Sequence, residues 1–210
     1  EIGVRLVGSE MCIRDRDSKG IIRKRLAQHR DIIEQILADE KLQDTIAQIT
    51  DTIVTCFKYG GRVYFCGNGG SAADAQHLAA EFSGKFYLER DILPSEALHC
   101  NSSYITAVSN DLSFEIIYSR LISGIGKAGD VLVGLSTSGN SANIVKAFET
   151  CHEKAITTVA FTGADGGRMR ELTKLLINVP STDTPRIQEA HITIGHIICE
   201  LVEEEIFGKE

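Results

Sequence analysis

A chain of 210 residues, 43% hydrophobic and 24% charged, has the composition of one globular domain with a substantial core, and is short for two. Its formal net charge of −7 argues against a nucleic-acid partner, because a phosphate backbone is held by clustered Lys and Arg. A small phosphorylated ligand remains open, since backbone amides and hydroxyls hold phosphate without net positive charge.

The first 17 residues have neither helical periodicity nor the layout of a signal peptide. They resemble a translated adapter, and are expected to be a disordered, non-native leader. From 18 to about 60 the pattern is helical. Ile21, Ile22, Leu26, Ile32, Ile33, Ile36 and Leu37 recur at three- and four-residue steps, and Leu42, Ile46, Ile49, Ile53 and Phe57 repeat them. Gly60 and Gly61 stop that run, and "RVYFCG" (62–67) reads as a buried strand. Helical spacing returns after Ser71 and ends at Gly84. Next, "EALHC" is a candidate strand and "SFEIIYSRLIS" a helix ending at Gly124. "DVLVGLS" reads as a strand, "SANIVKAFETCHEK" as a helix and "ITTVAFT" as a strand. "GGRMRELT" is a short helix, "KLLINVP" a strand, and 186–207 a long amphipathic helix entered after Pro185. Strands alternating with helices predict an α/β fold, a three-layer sandwich with a parallel sheet between helices, plus two N-terminal helices available for assembly. No stretch approaches the roughly 20 apolar residues that span a bilayer, so no membrane partner is expected. The six cysteines form no CxxC pair and read as buried free thiols of a reducing compartment.

Ligands of open parallel sheets collect beyond the carboxyl ends of the strands. Two such ends here are rich in small polar residues, "GNGGSAA" (67–73) and "STSGNSAN" (136–143). Ser136, Thr137, Ser138 and Ser141 offer four hydroxyls within six positions, more than helix capping needs, and point to a phosphate. Neither loop is GxGxxG or ends in GK[ST], which argues against a nucleotide. His77 and Glu81, four residues apart on the helix after the first loop, share a face. That spacing suits two ligands of one divalent ion, or an acid and a base on one substrate; the plain alternative is a solvent-facing pair. Gln188, His191 and His196 interrupt an isoleucine-rich face of the last helix, where a hydrogen-bonded core histidine is the plain alternative for either His.

The stretches "CGNGGSAADAQHLAAEFSGKF", "SNDLSFE", "LSTSGNSANIVKA" and "RIQEAHITIGHIICELVE" resemble a sugar isomerase (SIS) domain, and within it the sedoheptulose-7-phosphate isomerases. The resemblance covers about 19–207. The serine-rich loops carry only the wider family. HxxxE joined with QxxxxxxxH is far more specific. The resemblance implies an enzyme that turns sedoheptulose 7-phosphate into D-glycero-D-manno-heptose 7-phosphate, the opening step toward nucleotide-activated heptose and lipopolysaccharide. It implies that Asn68, Gly69, Gly70 and Ser71, with Asn110 and Asp111, line the sugar. Ser136, Thr137, Ser138 and Ser141 then hold the phosphate, and Glu81 and Gln188 also touch substrate. His77, Glu81, Gln188 and His196 match zinc ligands, and Glu81 and His196 the acid/base pair. A cytoplasmic homotetramer with active sites at subunit interfaces is implied as well.

The chemistry agrees with those residues. Moving a proton between C1 and C2 through an enediol(ate) needs a base, an acid at oxygen, and positive charge beside the developing oxyanion. Gln188 and His196, however, lie about 12 Å apart along one helix and about 80° around it. Ligand bonds to zinc are about 2 Å, so either long side chains and helix irregularity close that gap or, as is expected at least in part, residues from different subunits complete the site. The rival readings are another SIS sugar-phosphate isomerase and, chiefly, a non-enzymatic SIS-domain protein that associates with a replication initiator. That relative keeps the loops but loses the acid/base pair, and both members are present here.

Overall fold

The computed structural model describes residues 17–208, so the expected leader lies outside them except for Asp17, whose carboxylate caps the first helix through Gly20 N at 2.8 Å. Two N-terminal helices follow, α1 (Ser18–Ala38) and α2 (Glu40–Lys58). Asp39 separates them, accepting from Leu42 N at 3.0 Å as the N-cap of α2. Five parallel strands form one sheet in the order β2-β1-β3-β4-β5: β1 (Val63–Gly67), β2 (Ser95–Ala97), β3 (Val131–Ser136), β4 (Thr157–Thr162) and β5 (Leu175–Asn178). The remaining helices are α3 (Gly70–Ser83), α4 (Ser102–Asp111), α5 (Ile117–Ile125), α6 (Ala142–Glu153) and α7 (Thr184–Phe207). The α/β sandwich expected from the sequence is therefore present.

β1, β3 and β4 are buried almost throughout, as strands covered on both faces must be. Side chains alternate between two cores. Val63, Phe65, Val131, Val133, Leu135 and Phe161 face α1, α2, α3 and α7. Tyr64, Cys66, Leu132 and Ala160 face α4, α5 and α6. At the amino end of the sheet the buried Asp130 carboxylate accepts from Arg62 N and Lys127 N, both at 2.8 Å. Those bonds set β1 level with β3 and leave their carboxyl ends side by side.

Several elements differ from the sequence reading. α4 was not expected; Asn101 starts it by accepting from Tyr104 N at 3.0 Å. The helix expected over 113–123 is a 3₁₀ turn (Phe114–Ile116) followed by α5, and the short helix near 167 is also 3₁₀ (Gly167–Leu172). The apolar stripe of α1 is mostly uncovered: Ile21, Ile22, Leu26 and Leu37 are exposed, while Ile32 and Ile36 reach the core. Cys56, Cys66, Cys151 and Cys199 are buried free thiols, but Cys100 is exposed.

Candidate active site

The sheet order places a topological switch between β1 and β3, where successive crossovers leave in opposite directions and open a crevice at the carboxyl ends. Both polar loops lie there. Asn68 after β1 and Asn143 at the start of α6 join them through two reciprocal amide hydrogen bonds of 2.9 Å. Asn143 is a member of the site that the sequence reading did not single out. Tyr118 of α5 anchors the end of β1, donating from its hydroxyl to Gly67 O at 2.5 Å.

In the second loop Ser136 Oγ lies 2.9 Å from Ser141 Oγ and 3.4 Å from Ser138 Oγ. Ser141 is the N-cap of α6, yet its side chain makes no capping bond. Its hydroxyl faces the serine cluster instead, which removes capping as the reason for so many hydroxyls. The first turn of α6 points its N–H groups at the same turn, giving an anion two kinds of donor. Thr137 is half-buried in this turn, and its carbonyl accepts from Gly163 N at 3.0 Å.

α3 and α7 run side by side in the same direction. At one level Gly70 meets Gln188: a Cβ on that glycine would come 2.7 Å from Gln188 Nε2. Gln188 Nε2 also donates to Ser71 Oγ at 3.3 Å. Two turns further on, Gly195 meets Leu78, where an added Cβ would lie 2.6 Å from both Leu78 methyl carbons. Contacts between carbons cease to be attractive below about 3.5 Å, so the bare backbone at 195 sets how near the helices pack. His77 and His196 flank that contact, with their Nε2 atoms 3.3 Å apart and ring centroids at 4.8 Å. His77 Nε2 is also 2.8 Å from Glu81 Oε1.

The candidate ligand atoms of His77, Glu81 and His196 all lie within 4.8 Å of one another. Two nitrogens held about 2.0–2.1 Å from one ion at a tetrahedral angle are about 3.3–3.4 Å apart, which is the separation seen here. Two imidazoles and a carboxylate are also a suitable donor set for zinc. These residues therefore fit a divalent cation. Gln188 packs at the level of Gly70, seven residues and about 10 Å along α3 from His77. His191, the other candidate of the last helix, is a core residue, fully buried with Nε2 donating to Thr162 O at 3.0 Å. Burial pushes its pKa down to about 4, so the ring is neutral at pH 7.

Asn110 and Asp111 end α4 exposed, with Asn110 Nδ2 donating to Asp111 Oδ1 at 2.8 Å, and neither bonds to the two loops among the described residues. Two neighbours of the cluster escaped the sequence reading. Asp74, one turn before His77 on the same face, is half-buried with its Oδ2 unpartnered. Burial raises its pKa, and the charges of His77 and His196 offset part of that rise. Its spacing of three from His77 was the available signal. Phe86 sets its ring centroid 5.8 Å from that of His196 and carried no such signal.

Comparison with known proteins agrees with this geometry. The SIS domain family matches residues 26–163. A phosphoheptose isomerase of Burkholderia pseudomallei is 48% identical over 88% of this chain and 94% of its own length. That of Aneurinibacillus thermoaerophilus is 52% identical over 83% and 88%. The solved phosphoheptose isomerase of Neisseria gonorrhoeae superposes with a TM-score of 0.83 at 37% identity, over 89% of this chain and 98% of that one. With the loops, the helix pair and the relatives all pointing one way, the chain belongs to the phosphoheptose isomerases of the SIS domain family.

Proposed function

We propose that the chain interconverts sedoheptulose 7-phosphate and D-glycero-D-manno-heptose 7-phosphate, with Glu81 and His196 as the acid/base pair beside one divalent cation, zinc. The observation that carries this reading is the meeting of His77, Glu81 and His196 from two helices, in a chain whose β3–α6 turn gathers a separate serine cluster. Ser136, Thr137, Ser138, Ser141 and the first amides of α6 hold the phosphate. Asn68, Gly69, Gly70, Ser71, Asn110 and Asp111 line the sugar, with Gln188 beside the glycine turn.

The phosphate lies far from the reacting carbons and serves to position them. Glu81 removes the C1 proton of the ketose, the electron pair forms the C1–C2 double bond of the enediol, and the C2 oxygen gains a proton from His196. Return of the proton to C2 and loss of the C1 hydroxyl proton give the aldose. His77, Glu81 and His196 would hold the cation, which when bound supplies positive charge beside the developing oxyanion. Gln188 would be the fourth ligand, supplied by a second copy of the chain, as its packing beside Gly70 favours. The uncovered apolar stripe of α1 supports assembly of copies into the tetramer implied by the resemblance. A biosynthetic role in the cytoplasm accords with this substrate and with the absence, among the described residues, of a helix long and apolar enough to cross a membrane.

The test is direct. Purified protein is incubated with sedoheptulose 7-phosphate, with and without a chelator, and the aldose is followed. Aldose should form, and chelation should abolish it, with recovery on adding zinc. Folded, zinc-supplied protein that forms no aldose would overturn the reading.

A further inference from the structure

Two turns beyond His196, α7 carries Glu203, a carboxylate only 2% exposed. It accepts from three successive backbone amides, Phe86 N at 3.0 Å, Tyr87 N at 2.6 Å and Leu88 N at 2.9 Å, and from Arg90 Nε at 2.7 Å. The Arg90 side chain is 1% exposed. Its fork reaches the carboxyl end of α3, donating to Glu81 O at 2.9 Å, Phe82 O at 3.0 Å and Gly84 O at 3.2 Å. The last carbonyls of a helix have no partners inside it and carry partial negative charge, so a buried guanidinium there satisfies both needs. The Arg90 carbon also stands 5.5 Å over the Phe207 ring, closing the clasp from the end of α7.

The geometry points to this clasp as the device that positions the acid/base pair. Neither Glu203 nor Arg90 is placed to touch substrate. One end of the clasp holds the main chain of Glu81 through Arg90. The other end belongs to the helix of His196, and the amides it holds fix Phe86, whose ring lies against the His196 imidazole. Glu81 and His196 sit on different helices, and the Gly195–Leu78 contact sets only their spacing. Sliding or rotation of α3 against α7 needs a second fixed point, and the clasp supplies one beyond the reacting pair. A ligand misplaced by about 1 Å loses on the order of a hundredfold in rate, and partners that orient metal ligands are worth about 10–100-fold in affinity.

This inference rests on the proposed roles of Glu81, His77 and His196, and its test separates the two. In Glu203→Gln the oxygen still accepts but the amide nitrogen faces N–H donors from which it cannot accept, so the clasp loosens with little change of volume. Zinc affinity, measured by competition with a chelator, should fall about tenfold or more. With sedoheptulose 7-phosphate, kcat should fall about tenfold or more while KM shifts by less than about threefold, because the phosphate loop is held separately. Arg90→Lys, which keeps the charge but loses the fork to Glu81 O, should move both readouts the same way and serves if Glu203→Gln does not fold. Asp130→Asn is the control, a buried carboxylate holding two amides at the far end of the sheet. It should lower the melting temperature and leave zinc affinity unchanged. Unaltered zinc affinity and kcat in folded Glu203→Gln or Arg90→Lys would overturn the clasp. So would equal losses in Asp130→Asn at a matched loss of melting temperature. The zinc measurement needs no turnover, so it still reads the clasp if the isomerase reading fails.

Discussion

The hydroxyl turn after β3 draws Ser136, Ser138 and Ser141 from six consecutive positions, whereas His77 and His196 of the cation cluster come from positions 119 residues apart. The turn is shaped by local bonds and the end of one strand. The cluster depends on how two helices pack along their whole length, down to the missing side chain at Gly195. The two regions should therefore fail differently. A defect in the turn should weaken hold on the phosphate, and one in the cluster should slow proton transfer.

The largest expected effect falls on the cluster. Glu81→Gln keeps the shape of the side chain and removes its capacity to take a proton, so kcat should drop by about 10²–10⁴. KM should stay within about threefold, because the proposed hold on the phosphate belongs to the serine turn and is left intact. Steady-state kinetics with sedoheptulose 7-phosphate read both constants. A variant that keeps wild-type kcat with an intact fold would remove Glu81 from the proton-transfer role and dissolve the contrast between the regions.

His191 links the two regions and gives the next largest effect. Its bond to Thr162 O ties α7 to the end of β4, beside Gly163, whose amide holds the Thr137 carbonyl. Burial lowers its pKa from 6.5 to about 4 in the folded chain. The unfolded chain thus binds the proton more readily. The stability contributed by the neutral ring is fully present above about pH 6.5 and is lost as pH falls toward 4. Between pH 7 and pH 5 the wild type should lose about 2 kcal/mol more unfolding free energy than His191→Gln. Urea titrations at the two pH values measure the difference. Equal losses would show that the ring is not held neutral by burial.

The same contrast explains what could be read from the sequence. The strands announced themselves through runs such as "VLVGL", because residues buried on both faces must be apolar, and their alternation with helices implied the parallel sheet. The serine turn was visible because its members are neighbours in the chain. HxxxE was visible only as a pair of uncertain purpose, since periodicity cannot say what faces a helix. Its partner on α7 came from the family resemblance, not from spacing. The α7 spacing set Gln188 and His196 well apart along the helix, and the structure packs Gln188 against Gly70 and Ser71 and His196 against His77. What stayed hidden depends on distant contacts: the Asn68–Asn143 bridge, Phe86 against His196, and Gly195 as the bare spot that receives Leu78. α4 was missed because it buries little beyond Val108 and shows no strong apolar stripe.

The smallest predicted effect tests the turn itself. Ser141→Ala removes a hydroxyl that lies 2.9 Å from Ser136 Oγ and leaves the backbone of the α6 N-cap unchanged. Because that side chain makes no capping bond, the helix should lose little stability, and the melting temperature should move by less than about 2 °C. A hydrogen bond to a charged phosphate contributes about 1.5–3 kcal/mol, so KM should rise at least about tenfold with kcat nearly unchanged. Unphosphorylated sedoheptulose supplies the discriminating arm. It lacks the group that the turn is proposed to hold, so wild type and Ser141→Ala should convert it at equal, low efficiency. A variant that loses as much with the bare sugar as with the phosphate would show that Ser141 shapes the sugar pocket. The division of labour between turn and cluster would then have to be redrawn around the Asn68–Asn143 bridge, where the two loops are physically joined.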